Sequence, residues 1–277
     1  MPELPEVQTI VNDLVDAGLV GQCIRAVVVR WTGVVEGMPA AAFRRRVTGK
    51  RIQAVQRRAK FIVWRLADAS QILLHLRMTG RLHFARPGSR YAKHEHIAFR
   101  LDDGRQLRFH DTRKFGRFYL PADPGAFLAR LGPEPLDPGF SAQRLARRLQ
   151  GRHRMLKPLL LDQHFIAGLG NIYVDEALWD AGLHPLRTAD TLQFEDVRRL
   201  HRSIRKALRK GLRNMGTTLG TGETTFYSLA RNQGRNRDQL NVFRRTGSPC
   251  PRCRRTIERL IVGQRSTHIC PECQPPP

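Results

Sequence analysis

The chain has 277 residues, 41% of them hydrophobic, which is enough for two or three compact domains with their own cores and excludes a disordered tail. Forty-eight Lys and Arg against 24 Asp and Glu leave a formal charge of +24, so a polyanion is the first partner to expect. No apolar run is long enough to span a bilayer, and acids stand at the N-terminus where a signal peptide would be positive, so a cytoplasmic or nucleoid-associated protein without a membrane partner is expected.

The chain opens MPELPEV, with two prolines and two glutamates in its first six residues. If Met1 is removed, Pro2 presents a secondary amine. An α-amine titrates near pH 8, so part of it is neutral and nucleophilic at pH 7. Condensed with an aldehyde, a secondary amine gives a permanently positive iminium, which draws electrons and favours eliminations. Glu3 and Glu6 could move protons beside it. The same residues also suit a plain helix start, with first-turn acids complementing the macrodipole, and residue chemistry alone does not choose between the two readings.

Val7, Ile10, Val11, Leu14 and Val15 follow helical spacing and Gly18 stops it, which predicts a helix over residues 2–18. Short segments rich in β-branched and aromatic residues follow: CIRAVVVRW, RIQAVQRR, KFIVWRL, QILLHLRM, HIAFRL, LRFHD and RFYLP. Asp103-Gly104 joins two of them as a hairpin turn. Their number and spacing predict an antiparallel β-sandwich with helices at its ends, and Cys23 reads as core of one strand. Residues 44–60 also hold eight basic residues and no acid.

Pro and Gly concentrate in GPEPLDPGFS at 132–141, after which the pattern turns helical, with Ser141 as an N-cap. Within 198–213, again eight basic residues and no acid, Arg198, Arg202, Arg205, Arg209 and Arg213 recur at helical spacing beside Leu200, Ile204 and Leu208. Such a face can track phosphates. From 216 to 240 no period is visible, and the stretch reads as a long functional loop.

Cys250-x-x-Cys253 and Cys270-x-x-Cys273 lie sixteen residues apart, a spacing that converges four thiolates on one structural zinc ion. With all four positions filled by sulfur the metal is a staple with no place for a reacting water. Arg265 falls on the hairpin-sized insertion between the knuckles.

MPELPEV, QRRAKF, HLRMTG, KHEH, DTRKFG, LGPEPL, the block from LKPLLLDQ to GLGNIYVDEALW and the zinc module occur in an order that resembles bacterial formamidopyrimidine-DNA glycosylases over nearly the whole chain. The resemblance implies an α+β multidomain fold: an N-terminal catalytic β-sandwich domain with flanking helices (1–135), a helical DNA-binding domain with a helix–two-turns–helix element and lesion loop (136–240), and a C-terminal zinc-finger β-hairpin (241–277). It implies a monomer that acts on double-stranded DNA containing oxidised bases or abasic sites in base excision repair, excising oxidised purines and then nicking the strand by β,δ-elimination.

By position, Pro2 is then the nucleophile, Glu3 its acid/base partner and Glu6 a supporting residue. Lys60 and Arg265 grip phosphate during the eliminations. Because a base in a duplex must be extruded before it can react, Met78, Arg113 and Phe115 match the residues that fill the void. Asn171, with Gly168 and Gly170 beside it, matches a phosphate contact at a helix start, and His94, Arg152 and Lys157 match further DNA or lesion contacts. Two other readings stand beside this one. An endonuclease VIII-like enzyme for oxidised pyrimidines usually begins with glycine where Leu4 stands and fills the void differently, and a non-catalytic zinc-finger DNA-binding protein would tolerate a retained Met1. The 216–240 segment departs from the family's familiar lesion loop, so lesion range is the part of the reading it bears on.

Overall fold

The computed structural model describes residues 1–220, 226–229 and 232–277. These form two compact units, one of Met1–Ala129 with Asn214–Arg235 and one of Arg130–Arg213 with Asn236–Pro277. By compactness, 214–235 belongs with the sandwich, although the helices directly precede it in sequence.

The first unit begins with α1 (Leu4–Asp16), whose Leu4, Val7, Ile10, Val11 and Leu14 are buried as their spacing predicts. Val15, expected on the same stripe, is 42% exposed, because eight residues of helix rotate it past the edge of the apolar face. The helix gives way at Ala17 to a left-handed Gly18, with φ of 71°.

The strands are β1 (Ile24–Val29), β2 (Val35–Glu36), β3 (Ile52–Arg58), β4 (Phe61–Leu66), β5 (Gln71–His75), β6 (Arg81–Ala85), β7 (Glu95–Leu101), β8 (Gln106–His110) and β9 (Arg117–Tyr119). They form a four-stranded antiparallel sheet, β1-β7-β8-β6, and a five-stranded sheet, β2-β9-β5-β4-β3, in which only β2 and β9 run parallel. Inner faces of both sheets share one core: the Trp64 and Phe99 rings are 5.0 Å apart and those of Phe109 and Phe118 5.3 Å. The turn between β7 and β8 is the predicted Asp103-Gly104, with Gly104 at φ 85°. Cys23 is buried, as expected of a core residue.

Sequence reading did not find β2, β6 or two helices, α2 (Ala40–Val47) and α3 (Pro124–Ala129). In α2 three arginines masked the signal. Ala and Arg favour helix, and only Phe43 and Val47 need to be buried to dock it.

The second unit holds α4 (Ala142–Leu149), α5 (Leu156–Leu161), α6 (Asn171–Ala181), α7 (Phe194–Arg213) and a hairpin of β10 (Glu258–Val262) and β11 (Arg265–Ile269). Ser141 caps α4 as predicted, its Oγ accepting the Arg144 N–H at 3.2 Å. α6 is buried on nearly every side and packs against α7 at Gly211, where a Cβ would stand 2.5 Å from the Tyr173 hydroxyl. Leu200, Ile204 and Leu208 are fully buried. Part of the basic stripe beside them is engaged within the unit: Arg198 pairs with Glu195, and Arg205 donates to the Pro135 and Asp137 carbonyls. No described helix is long and apolar enough to cross a membrane.

Candidate active site and nucleic-acid contacts

Each unit carries its own cluster of the residues singled out above. In the first, Glu3 is the N-cap of α1. Its side chain accepts the Glu6 N–H, while the Glu3 N–H donates to Glu6 Oε2 at 2.9 Å, a reciprocal capping box. The helix-start reading of the two acids therefore holds. It leaves room for chemistry, since Glu3 and Glu6 are only 3% and 1% exposed and Pro2 is buried beside them. Carboxyls this dry persist only when bonded on several sides. The second oxygen of Glu6 accepts the Thr217 N–H at 2.7 Å.

Lys60 sits in the tight turn between β3 and β4, 3% exposed, after Ala59 at φ 54°, a left-handed position usually left to glycine or asparagine. An alanine held there marks a turn whose surroundings fix its shape. His75 lies close enough to feel the Lys60 charge. Burial first, then the Arg77 and Lys60 charges, hold its imidazole down to about 3, and its Nδ1 accepts the Arg77 N–H at 3.0 Å.

His75 is thus neutral when folded, whereas an unfolded histidine titrates near 6.5. Its contribution to stability is complete above pH 6.5 and is lost as pH falls towards 3, up to on the order of 4 kcal/mol. In urea unfolding, the wild type is expected to lose several kcal/mol more than His75→Gln between pH 6.5 and about 4, a range set by these titrations. Parallel pH profiles would contradict the buried neutral histidine.

Three expected void-filling residues do come together. Met78 is 41% and Phe115 45% exposed, unusual for large apolar side chains. The Arg113 guanidinium lies 4.6 Å from the Phe115 ring centre and donates to Met78 Sδ at 3.1 Å. One buried carboxylate sets this tip. Asp111 accepts the Thr79 hydroxyl and the Arg113, Phe115 and Gly116 N–H groups, the last two at 2.8 and 2.7 Å, so it ties the loop after β5 to the loop after β8. Gly116 is required there, because a Cβ would come 2.4 Å from the Phe109 ring. Sequence reading missed Asp111, although an Asp two residues before an arginine in a loop is an Asx-turn signal. His94 is nearby in the chain fold, its carbonyl accepting the Asp111 N–H and its ring 5.6 Å from that of His110.

In the second unit Gly168, at φ 84°, donates its N–H to Gln163, and Gly170 is the N-cap of α6. Asn171 Nδ2 donates to the Ser266 carbonyl at 2.8 Å, and its buried Oδ1 has no partner. Lys157, expected to touch DNA, is instead fully buried. Its ammonium is 2.5 Å from Asp175 and donates to Ser266 at 2.9 Å. The other Asp175 oxygen accepts the His268 N–H at 3.0 Å. Lys157 and Asp175 therefore fasten β11 to α6 and hold the strand that begins at the exposed Arg265. Arg152 is exposed in the turn after α4.

The four zinc-spaced sulfurs all lie within 4.8 Å of one another. Burial opposes ionisation of Cys250, but the Cys253 and Arg252 N–H groups and the Trp179 indole hold its thiol down to about 6. Gln274, fully buried, accepts the Cys270 N–H and donates to the Leu183 carbonyl, bracing one knuckle. Four convergent thiols with N–H donors around them fit one structural zinc ion, and zinc supplies there a closed tetrahedral cross-link.

Comparison with known proteins matches all three regions. The formamidopyrimidine-DNA glycosylase N-terminal domain matches residues 1–118, the corresponding H2TH domain 131–222, and a zinc finger found in FPG and IleRS 247–276. Formamidopyrimidine-DNA glycosylases of Protochlamydia amoebophila and of a Roseiflexus species are 48% and 46% identical to this chain, over 99% of it and 99% and 100% of their own lengths. Among solved structures, a Lactococcus lactis FPG mutant bound to Fapy-dG DNA is similar with a TM-score of 0.91 and 34% identity, covering 99% of this chain and all of that one. The same organism's protein bound to abasic-site DNA has a TM-score of 0.90 at 33% identity.

Proposed function

The chain belongs to the formamidopyrimidine-DNA glycosylase family, the DNA glycosylases of base excision repair, and from that premise we propose that it excises oxidised purines through its N-terminal proline and then cuts the strand at the abasic site. The observation that carries the proposal is the dry N-terminus: Pro2 is buried next to the cap of α1, whose two carboxylates, Glu3 and Glu6, are buried and hydrogen-bonded.

With Met1 removed, the Pro2 nitrogen attacks C1′ and the glycosidic bond breaks, the base leaving with a proton. Opening of the sugar gives an iminium on the proline nitrogen. Loss of a C2′ proton then expels the 3′ phosphate, a second elimination expels the 5′ phosphate, and water releases the proline. Glu3 moves the protons. Lys60 and Arg265 are assigned to the flanking phosphates, where a cation stabilises the charge that grows in the eliminations. Met78, Arg113 and Phe115 occupy the vacated place in the stack, the arginine facing the orphaned cytosine. Asn171, His94 and Arg152 are assigned to DNA contact, Glu6 to support of the terminus, and Lys157 to holding the Arg265 strand.

The protein works as a monomer in the bacterial cytoplasm, on the nucleoid. A Lactococcus lactis relative is solved with DNA containing an oxidised pyrimidine, at a TM-score of 0.90, which favours a lesion range that reaches beyond purines. Part of the 216–240 segment that bears on that range, 221–225 and 230–231, lies outside the described residues.

Product analysis tests the reaction. Incubation with a duplex holding 8-oxoguanine opposite cytosine is expected to release the base and leave a one-nucleotide gap with phosphate at both ends. An intact strand carrying an unreacted abasic site would contradict the coupled eliminations.

A further inference from the structure

The basic stripe of α7 has no part in the function proposed above. At about 100° per residue, Arg198, Arg202, Arg209 and Arg213 fall within an arc of about 60° round the helix axis, with Arg205 at its edge. The buried positions of the same helix, from Ser203 through Leu200 and Ile204 to Leu208, lie on the other side. That other side meets α6: the Ser203 hydroxyl donates to Asp180 at 2.7 Å, and Gly211 lies against Tyr173. α6 is also the helix that begins with Asn171 and to which Lys157 and Asp175 fasten the Arg265 strand. The stripe therefore faces away from Asn171 and Arg265, and a duplex seated on them leaves it uncovered.

Little on the helix offsets the charge of the stripe. Glu195 stands one turn before it, paired with Arg198 at 2.9 Å and 3.9 Å from Arg202. Arg209 and Arg213 are exposed, and among the described residues neither has a carboxylate partner. Arg198 and Arg202, Arg205 and Arg209, and Arg209 and Arg213 each stand four apart, a spacing at which like charges repel and oppose the helix. Burial, and then the Arg209 charge, hold the Arg205 guanidinium below its ordinary range. Such a helix projects a field of one sign, which a row of phosphates relieves.

We propose that the exposed stripe of α7 is a second DNA-binding surface, which takes the backbone of another duplex segment while the first is held at the catalytic face. From Arg198 to Arg213 the helix runs about 22 Å, enough to lie along several phosphates. Contacts to phosphate position a duplex without reading its bases, so the second segment is taken whatever its sequence. A protein that holds two segments passes from one to the other without a free step in solution.

The test uses the whole protein saturated with a short unlabelled duplex bearing a stable abasic-site analogue, to which a fluorescent undamaged duplex is added. Sedimentation velocity is expected to show one protein carrying two duplexes, and that particle should weaken steeply as salt rises. Arg202→Gln combined with Arg209→Gln should weaken the second duplex at least about tenfold at low salt and lower its log–log salt slope by about two. The first duplex stays bound within about twofold of the wild type. Both positions are exposed and glutamine is a good helix former, so the fold is kept. Arg202→Lys with Arg209→Lys keeps both charges and recovers the second duplex. A single duplex per protein at low salt, an undiminished second duplex in the glutamine variant, or equal losses of both duplexes would overturn the proposal.

Discussion

A chain extended by a few residues ahead of Pro2 is expected to lose base excision and strand cleavage by at least about 10³-fold while binding duplex DNA within about threefold of the unextended protein. The extension turns the proline nitrogen into a tertiary amide, whose lone pair is delocalised and cannot attack C1′. Nothing else in the terminus has to change. Met1 is already 49% exposed, so added residues have somewhere to go, and the Glu3–Glu6 capping box depends on atoms C-terminal to the block. Phosphate affinity comes from side-chain cations spread over a chain of charge +24, which the extension leaves in place. Activity by gel and affinity by filter binding, measured on the same preparations, separate the two effects. Cleavage at the unextended rate would remove Pro2 from the mechanism.

Loss of zinc is expected to have the next largest effect. Among the described residues the buried cluster around the cysteines adds Trp179, Val242 and Ile257, and a two-stranded hairpin is marginal by itself. Metal binding contributes on the order of 10 kcal/mol to folding such a module. Without it, β10–β11 loses its base, and Arg265 loses the strand that Asp175 and Lys157 hold to α6. Chelation, or Cys250→Ser, should therefore reduce duplex affinity and strand cleavage by at least about 100-fold, consistent with removing a module worth several charge contacts. The sandwich has a separate core and should keep its cooperative unfolding. Metal content, near-ultraviolet dichroism of Trp179 and DNA binding would follow the change together. A zinc-free chain that binds DNA undiminished would contradict the role given to the module.

What could be read from the sequence was local. The α1 stripe, most strands of the sandwich, the Asp103-Gly104 turn, the Ser141 cap and the cysteine spacing each announce themselves within a few residues, and each lies where its pattern predicts. Met78, Arg113 and Phe115 are legible as void-filling residues only through resemblance. What draws them together is Asp111, which reaches Thr79 across 32 positions, a partnership no window contains. Lys157 reads as one more cation in a basic chain. Its burial follows from Asp175 eighteen residues later and Ser266 more than a hundred residues later. The stretch from 216 to 240 shows no period, and its described Thr217 and Leu229 donate their N–H groups to Glu6 and Asp13 of α1, more than two hundred residues earlier. β6 and β2 are short edge strands whose pairing partners lie elsewhere in the chain.

Both excision and strand cleavage pass, in this mechanism, through a covalent bond between the Pro2 nitrogen and C1′. Borohydride reduction during reaction captures that bond, so the first measurement is trapping of the purified protein on a duplex with 8-oxoguanine opposite cytosine and on one with a plain abasic site. A stable protein–DNA adduct on both, with the linkage mapped by mass spectrometry to Pro2, is the expected result. No adduct on either duplex, from protein whose Met1 is removed and which binds both, would contradict it.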